Sequence, residues 1–480
     1  MNGSPLSPNA VSAVGTRNLG RGALWIVLLI WAAGAVAGDL PDIRAWRGEL
    51  SLPNGATLPI EVELFLNAAG EPDGNLVSPA QNQRYVRLVE VEFSANRLRV
   101  LSRAPDVEIS GPIEAGTWRA SFSQGGFRTA LSLAPTAQIT EVERVQSRAA
   151  LRDWPGDARE IPVEGAVLAA THVLPKDGAR AAALLLGGSG ATERDGYFAG
   201  HRPLAVLAAR LAERGIVSLR YDKRGVNRSS GEHDPTDIDT LSKDAGAALR
   251  WLREQHPRLP LLVIGHSEGG LIAARLGAGA APPDGVVSLM GPVLPLAELF
   301  ALQDWTEARA AGASEAEADA LVSLSRQIYA AAAAHPDPAS RMPAVMALLD
   351  SASAAQRQAF ERFNGGTGTL GAGMLGGRHY HSLLAVTPNL SWRALEVPGL
   401  LLFGEFDSQV PAAANVDALT KRENLRVISL AGINHMMQRS DSAATERYAD
   451  IDHVIAPKVE EALTQWIEQW LLTPVRVGPG

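Results

Sequence analysis

Residues 261–270 read LLVIGHSEGG. Four large apolar residues in a row suit a strand buried on both faces, the usual state of a parallel sheet. The strand runs straight into Ser267, with Gly265 and Gly269 two places away on either side, and a helical pattern, EGGLIAARL, follows. The reading is a strand, a sharp turn and a helix. A turn this tight leaves no room for side chains two residues before and after the serine, hence the glycines. Its strain lifts the Ser267 hydroxyl clear of the sheet, at a helix N-terminus that favours developing negative charge. Gly-x-Ser-x-Gly alone is a weak signal, and the plain alternative is a serine capping an ordinary helix. The flanking strand and helix patterns make the elbow specific.

The surrounding text supports that architecture. From residue 153 onward, apolar runs such as AAALLLGG and GIVSLRY alternate with helical segments such as PLAVLAARLAERG and LSKDAGAALRWLREQ. Strand followed by helix, repeated, predicts a mostly parallel sheet with helices on both faces. Further strands are expected at 261–265, 285–289, 400–403 and 425–430, with a last helix over 456–471. An Ala-rich, mostly helical insertion at about 293–396 reads as a cap. It ends in a glycine-rich stretch from Gly365 to Gly377, which no strand feeds and no Gly-Lys-Ser/Thr closes, so a hinge fits better than a phosphate cradle.

Ahead of this lies a different rhythm. Residues 40–135 alternate apolar and polar in LPIEVELFL and NRLRVLSR, and GTWRASFSQGGFRTALSL reads as two strands around Gly125 and Gly126. A small all-β barrel or sandwich is expected there, with 136–152 as linker, 153–472 as the α/β domain and 473–480 as a tail. Two domains suit a chain of 480 residues. At the N-terminus, Arg17 and Arg21 precede an apolar run over 23–37 that closes on Ala35-Val36-Ala37. This is the pattern of a signal peptide over 1–37, which implies a periplasmic or secreted protein; the run is short of the ~20 residues that span a bilayer. A net charge of −8 with no basic stripe gives no footprint for nucleic acid. The absence of cysteine excludes disulfides, thiolate nucleophiles and cysteine-bound metal.

Serine is a poor nucleophile at neutral pH and needs a base, itself oriented by an acid. In a sheet of this kind the partners follow in the order Ser, acid, His, each just past a later strand. VPGLLLFGEFDSQVP offers Asp407, with Glu405 as rival acid, and LRVISLAGINHMM offers His435. Backbone N–H groups to hold an oxyanion are expected at Glu268, next to the serine, and at Ser189 in the loop Gly187-Gly188-Ser189-Gly190 after the strand AAALLL. His266, His201, His453 and the His379/His381 pair read as packing or pocket-lining residues. An H-x-H pair alone is weak evidence for metal.

The chain over about 139–472 resembles the α/β-hydrolase superfamily, and within it bacterial esterases related to serine aminopeptidase-type hydrolases. The resemblance rests on GSGATERDG, GHRPLAVLAARLAERGIVSLRYDKRGV, GHSEGG, GEFDSQVP and NHMM. It implies Ser267, Asp407 and His435 as catalytic triad, structural roles for Arg194-Asp195-Gly196 and Asp222-Lys223-Arg224-Gly225, and a front β module such as some of these esterases carry. Asn227 stands where the family often has glycine, and Ala191 where it often has proline. The expected activity is ester hydrolysis through an acyl-enzyme, on a small-molecule ester and with neither cofactor nor metal. Peptidase or amidase action is the rival within enzymes. A third reading gives the β module the leading role, as a contact to cell-envelope glycan or lipid.

Overall fold

A computed structural model describes residues 44–81, 86–94, 96–103, 106–140, 144–233, 236–363, 378–443 and 445–472. The expected signal segment, the tail and the stretch from Gly365 to Gly377 lie outside the described residues. Among them, no helix is long and apolar enough to cross a membrane.

The N-terminal sequence alternates because its strands have one inner and one outer face. The strands are β1 (Ala45–Ser51), β2 (Thr57–Leu66), β3 (Pro72–Val77), β4 (Val86–Leu88), β5 (Glu90–Ser94), β6 (Arg97–Arg103), β7 (Asp106–Glu114), β8 (Thr117–Gln124) and β9 (Phe127–Pro135). They form one antiparallel sheet in the order β4-β3-β2-β1-β9-β8-β7-β6-β5. Its two edge strands, β4 and β5, are separated in the chain by Val89 alone. The edges therefore meet and the sheet curls into a barrel, which leaves no long edge open to stray pairing. Residues two apart point inward together: Ile60, Val62 and Leu64; Leu98 and Val100; Leu131 and Leu133. At the centre, Trp46 packs edge-on against Trp118 with ring centroids 5.7 Å apart.

The segment that the sequence leaves as a linker contains a helix, Val145–Asp153. It escapes a periodicity reading because only Ser147 and Ala150 are buried and no side chain caps its start. Before it, the hydroxyl and backbone N–H of Thr140 both donate to the buried carboxylate of Glu61, which also pairs with Arg47 Nε at 2.6 Å. The connector is thereby fastened to the barrel.

The second sheet comprises β10 (Asp157–Val163), β11 (Ala166–Val173), β12 (Ala181–Leu186), β13 (Ile216–Tyr221), β14 (Leu261–His266), β15 (Gly285–Leu289), β16 (Gly399–Phe406) and β17 (Leu425–Asn434). The order is β10-β11-β13-β12-β14-β15-β16-β17. The sheet is mixed: β10–β11 and β11–β13 are antiparallel, and the remaining pairings are parallel. Every residue of β12 is buried because both faces are covered. Ala182, Leu184 and Leu186 pack with helices Ile238–Gln255 and Glu268–Gly277. Ala181, Ala183 and Leu185 pack with Pro203–Ala212 and Pro457–Leu472 on the other face. Strand order reverses at β12, with β13 on one side and β14 on the other. In open sheets of this type ligands bind beyond the carboxyl ends of the strands at that point.

Between β15 and β16 the chain builds a helical cap. Helices Leu296–Ala310, Glu315–Ala334, Pro338–Ser351 and Ala354–Phe363 share a small core of their own around Leu321, Leu324, Ile328 and Phe360. Helices Arg378–Leu384 and Pro388–Ala394 lead back to the sheet.

Candidate active site

The glycine spacing around Ser267 has a direct steric cause. A Cβ on Gly265 would lie 1.9 Å from the Gly269 carbonyl oxygen, and one on Gly269 would lie 2.5 Å from Leu186 O. No side chain fits at either place. Ser267 itself takes φ 54 and ψ −120, a strained conformation for a residue with a side chain. Its N–H donates to Leu289 O at 2.9 Å, which ties the elbow to the neighbouring strand. Ser267 is half-buried, at the start of helix Glu268–Gly277 and at the carboxyl end of β14.

Asp407 and His435 follow the ends of β16 and β17, and the structure brings them together. His435 Nδ1 is 2.8 Å from Asp407 Oδ2, and both side chains are buried. The other carboxylate oxygen, Oδ1, accepts the backbone N–H groups of Gln409 (2.9 Å) and Val410 (2.7 Å). With Oδ1 held by the backbone, Oδ2 is left for the imidazole. A carboxylate only accepts, so Nδ1 is the donor of this bond, which leaves Nε2 as the nitrogen that faces away from Asp407. Glu405 is exposed and accepts the Gly432 N–H at 2.8 Å, so it caps a loop at the irregular pairing of β16 with β17. The His435 ring lies 5.0 Å from that of His266, the residue before Ser267.

The loop after β12 packs on the elbow: a Cβ on Gly188 would touch Ser267 Cβ at 3.4 Å. Ser189 is exposed in that loop. Glu268 is the first residue of its helix, so its N–H has no intrahelical acceptor. Lys223 fixes both pieces. Its ammonium donates to Gly188 O (2.5 Å), Gly190 O (3.2 Å) and Glu268 Oε1 (2.8 Å), which uses all three of its protons. The second oxygen of Glu268 meets His379 Nε2 of the cap at 2.9 Å. Burial alone pushes the Glu268 carboxyl up, but Lys223 and His379 together more than reverse this and hold it at about 2.

Three of these contributions are absent from the sequence reading. His266 Nε2 meets the His435 backbone carbonyl at 2.9 Å, so it braces the segment bearing His435 as well as packing. Burial holds His266 neutral, down at about 3, with His435 adding to the effect. Lys223 acts on the loop before the elbow, beyond a purely local structural role. His379 and His381 diverge, as residues two apart on a helix must: one reaches Glu268 and the other Ala332 O at 3.0 Å. His453 accepts the Arg439 N–H, and His201 stacks on Phe198. A cavity of about 930 Å³ beside β17, lined by Phe406, Ile433, Arg439 and Lys458 among others, includes none of Ser267, Asp407 and His435.

A mixed sheet wound on both faces, with a strained serine elbow at the strand ends, defines a hydrolase of the α/β-hydrolase fold. The chain belongs to the family described as serine aminopeptidase, S33, whose model matches residues 196–439, just over half of its length. It is 24% identical over 323 residues to esterase EstD of Thermotoga maritima, which covers 66% of this chain and 68% of that protein. Among solved structures it is similar to Est1E of Butyrivibrio proteoclasticus with ferulic acid bound, at 14% identity and a TM-score of 0.41, covering 66% of this chain and all of that one. It is likewise similar to a proline iminopeptidase of Mycobacterium smegmatis, at 14% identity and a TM-score of 0.40, covering 66% and 99%.

Proposed function

We propose that the protein is a serine carboxylesterase. Ser267 Oγ attacks the ester carbonyl as its proton passes to His435 Nε2, and Asp407 holds the resulting imidazolium. Backbone N–H groups of Ser189 and Glu268 receive the oxyanion, each such donor contributing roughly 3–4 kcal/mol to the transition state. His435 returns the proton to the leaving alcohol, and water then releases the acid from Ser267. The observation that carries this reading is the buried Asp407–His435 pair, its ring packed against the neighbour of the elbow serine. The relative described as an esterase supports the ester substrate.

The family's own description favours a second reading, cleavage of aminoacyl amides. Side-by-side assays on p-nitrophenyl esters and aminoacyl-p-nitroanilides separate the two. Ser267→Ala is expected to abolish both hydrolysis and fluorophosphonate labelling with an unchanged circular-dichroism spectrum; retained activity removes Ser267 from its role. For location we propose export, on the pattern of Arg17, Arg21 and the apolar run over 23–37. N-terminal sequencing of the mature protein tests this, with Gly38 as the expected first residue.

A further inference from the structure

We propose that the N-terminal barrel is a working part of the active site: it braces, through the Asn227–Arg228 turn, the loop whose Lys223 fixes the oxyanion segment. This rests on the serine-hydrolase reading above for its catalytic consequence. The contacts converge on two residues. Asn75, fully buried on β3, donates from Nδ2 to Asn227 Oδ1 at 3.2 Å. The Ala68 N–H donates to Arg228 O at 2.7 Å. The Arg228 guanidinium lies 3.8 Å over the Phe65 ring, with Nη2 3.4 Å from Glu63 Oε1.

Asn227 is the hinge of this arrangement. Its φ of 46 is left-handed, where glycine is cheapest and asparagine is the usual second choice. The side chain that glycine would lack spans two domains. It accepts from Asn75 of the barrel and donates from Nδ2 to Asp222 Oδ2 at 3.1 Å.

Asp222 transmits the contact. Its fully buried carboxylate also accepts the Arg228 N–H (3.1 Å), the Arg194 N–H (2.7 Å) and the Arg194 guanidinium (2.6 Å). The turn closes on itself through Val226 N to Lys223 O and Gly225 N to Ser230 O. The next residue, Lys223, holds the carbonyls of Gly188 and Gly190 and the side chain of Glu268. The carbonyls of a loop set where its N–H groups point. A shift at residues 227–228 therefore re-aims the donors that would face the oxyanion.

The test uses the full chain with Asn75→Ala and Asn227→Gly, and Lys223→Met as reference. Amide exchange over residues 187–190 is read by mass spectrometry, alongside p-nitrophenyl acetate kinetics and inhibition by a methyl trifluoromethyl ketone. That inhibitor's adduct with the serine would carry its oxygen in the oxyanion position. Faster exchange at 187–190 with β12 and β14 unchanged is expected. So is a kcat lower on the order of tenfold, with KM within about twofold and inhibitor affinity falling in step with kcat. Unchanged exchange at 187–190 in both variants overturns the proposal whatever the activity. Faster exchange with unaltered kcat and inhibitor affinity in an active enzyme overturns it as well. Faster exchange in a chain whose wild type neither turns over esters nor labels with fluorophosphonate leaves the brace standing and removes the esterase reading.

Discussion

Lys223→Met keeps an unbranched stem as far as the ε position and removes the ammonium with its three donors. Left behind are two loop carbonyls and the Glu268 carboxylate, which is only 5% exposed. Breaking a buried ion pair from one side costs about 3–5 kcal/mol. Lys223 and His379 together hold the folded Glu268 carboxyl at about 2, below its ordinary value, so its ionised form stabilises the fold at neutral pH. In the wild type this contribution is complete above pH 4.5 and is lost as pH falls toward 2, because the folded carboxyl is the stronger acid. In Lys223→Met burial acts against the charge with only His379 to oppose it, and the carboxyl moves up. The folded variant then takes up a proton as pH falls from 7 to 5, and its deficit against wild type narrows. Urea unfolding at pH 7 and pH 5 measures this. The double variant Lys223→Met, Glu268→Gln has no carboxyl to titrate, and its deficit is expected to stay constant over that interval. A single-variant deficit under about 1 kcal/mol at pH 7, or one that is equal at both pH values, refutes the reasoning.

Gly265→Ala and Gly269→Ala each force a Cβ into a backbone carbonyl, at 1.9 and 2.5 Å, and are expected to cost more than about 4 kcal/mol. A soluble, active Gly265→Ala protein with an unchanged Tm would sink the elbow geometry. His266→Phe leaves the buried His435 carbonyl without its donor, at about 1–3 kcal/mol in urea unfolding, and is expected to lower kcat more than it raises KM. His201 is fully buried with neither ring nitrogen partnered among the described residues, and burial, with Arg144 and His453 adding to it, pushes the ring down to about 4. Its neutral form is the folded form, so its contribution is complete above 6.5 and is lost as pH falls through 4. His201→Phe is expected to shrink the fall in Tm between pH 7 and pH 5; an identical fall in both proteins speaks against it.

Much of the scaffold was legible because burial on both faces leaves a continuous apolar run. The expected strand at 285–289 coincides with β15, and the expected helix over 456–471 with Pro457–Leu472. Gly265 and Gly269 announced the elbow, since few other causes place two glycines around a serine after such a run. Position past a strand end singled out Asp407 and His435, which are hydrogen bonded to each other. What stayed hidden is of another kind. The short hairpin of β10 and β11 is partly polar and lacks a strong pattern. The Lys223–Glu268 pair spans 45 residues and the His266–His435 bond 169, separations that no local pattern encodes. Nothing in EGGLIAARL says that its glutamate is buried, because a charged letter ordinarily marks a wet face.

His379 has a practical consequence for anyone re-engineering this scaffold. Cap segments invite exchange as cassettes for altering which molecules an enzyme accepts. Here the insertion supplies one of the two partners of the carboxylate beside the serine. Under the proposed mechanism, a transplanted cap without an equivalent imidazole changes turnover as well as selectivity unless Glu268 is re-partnered in the same step.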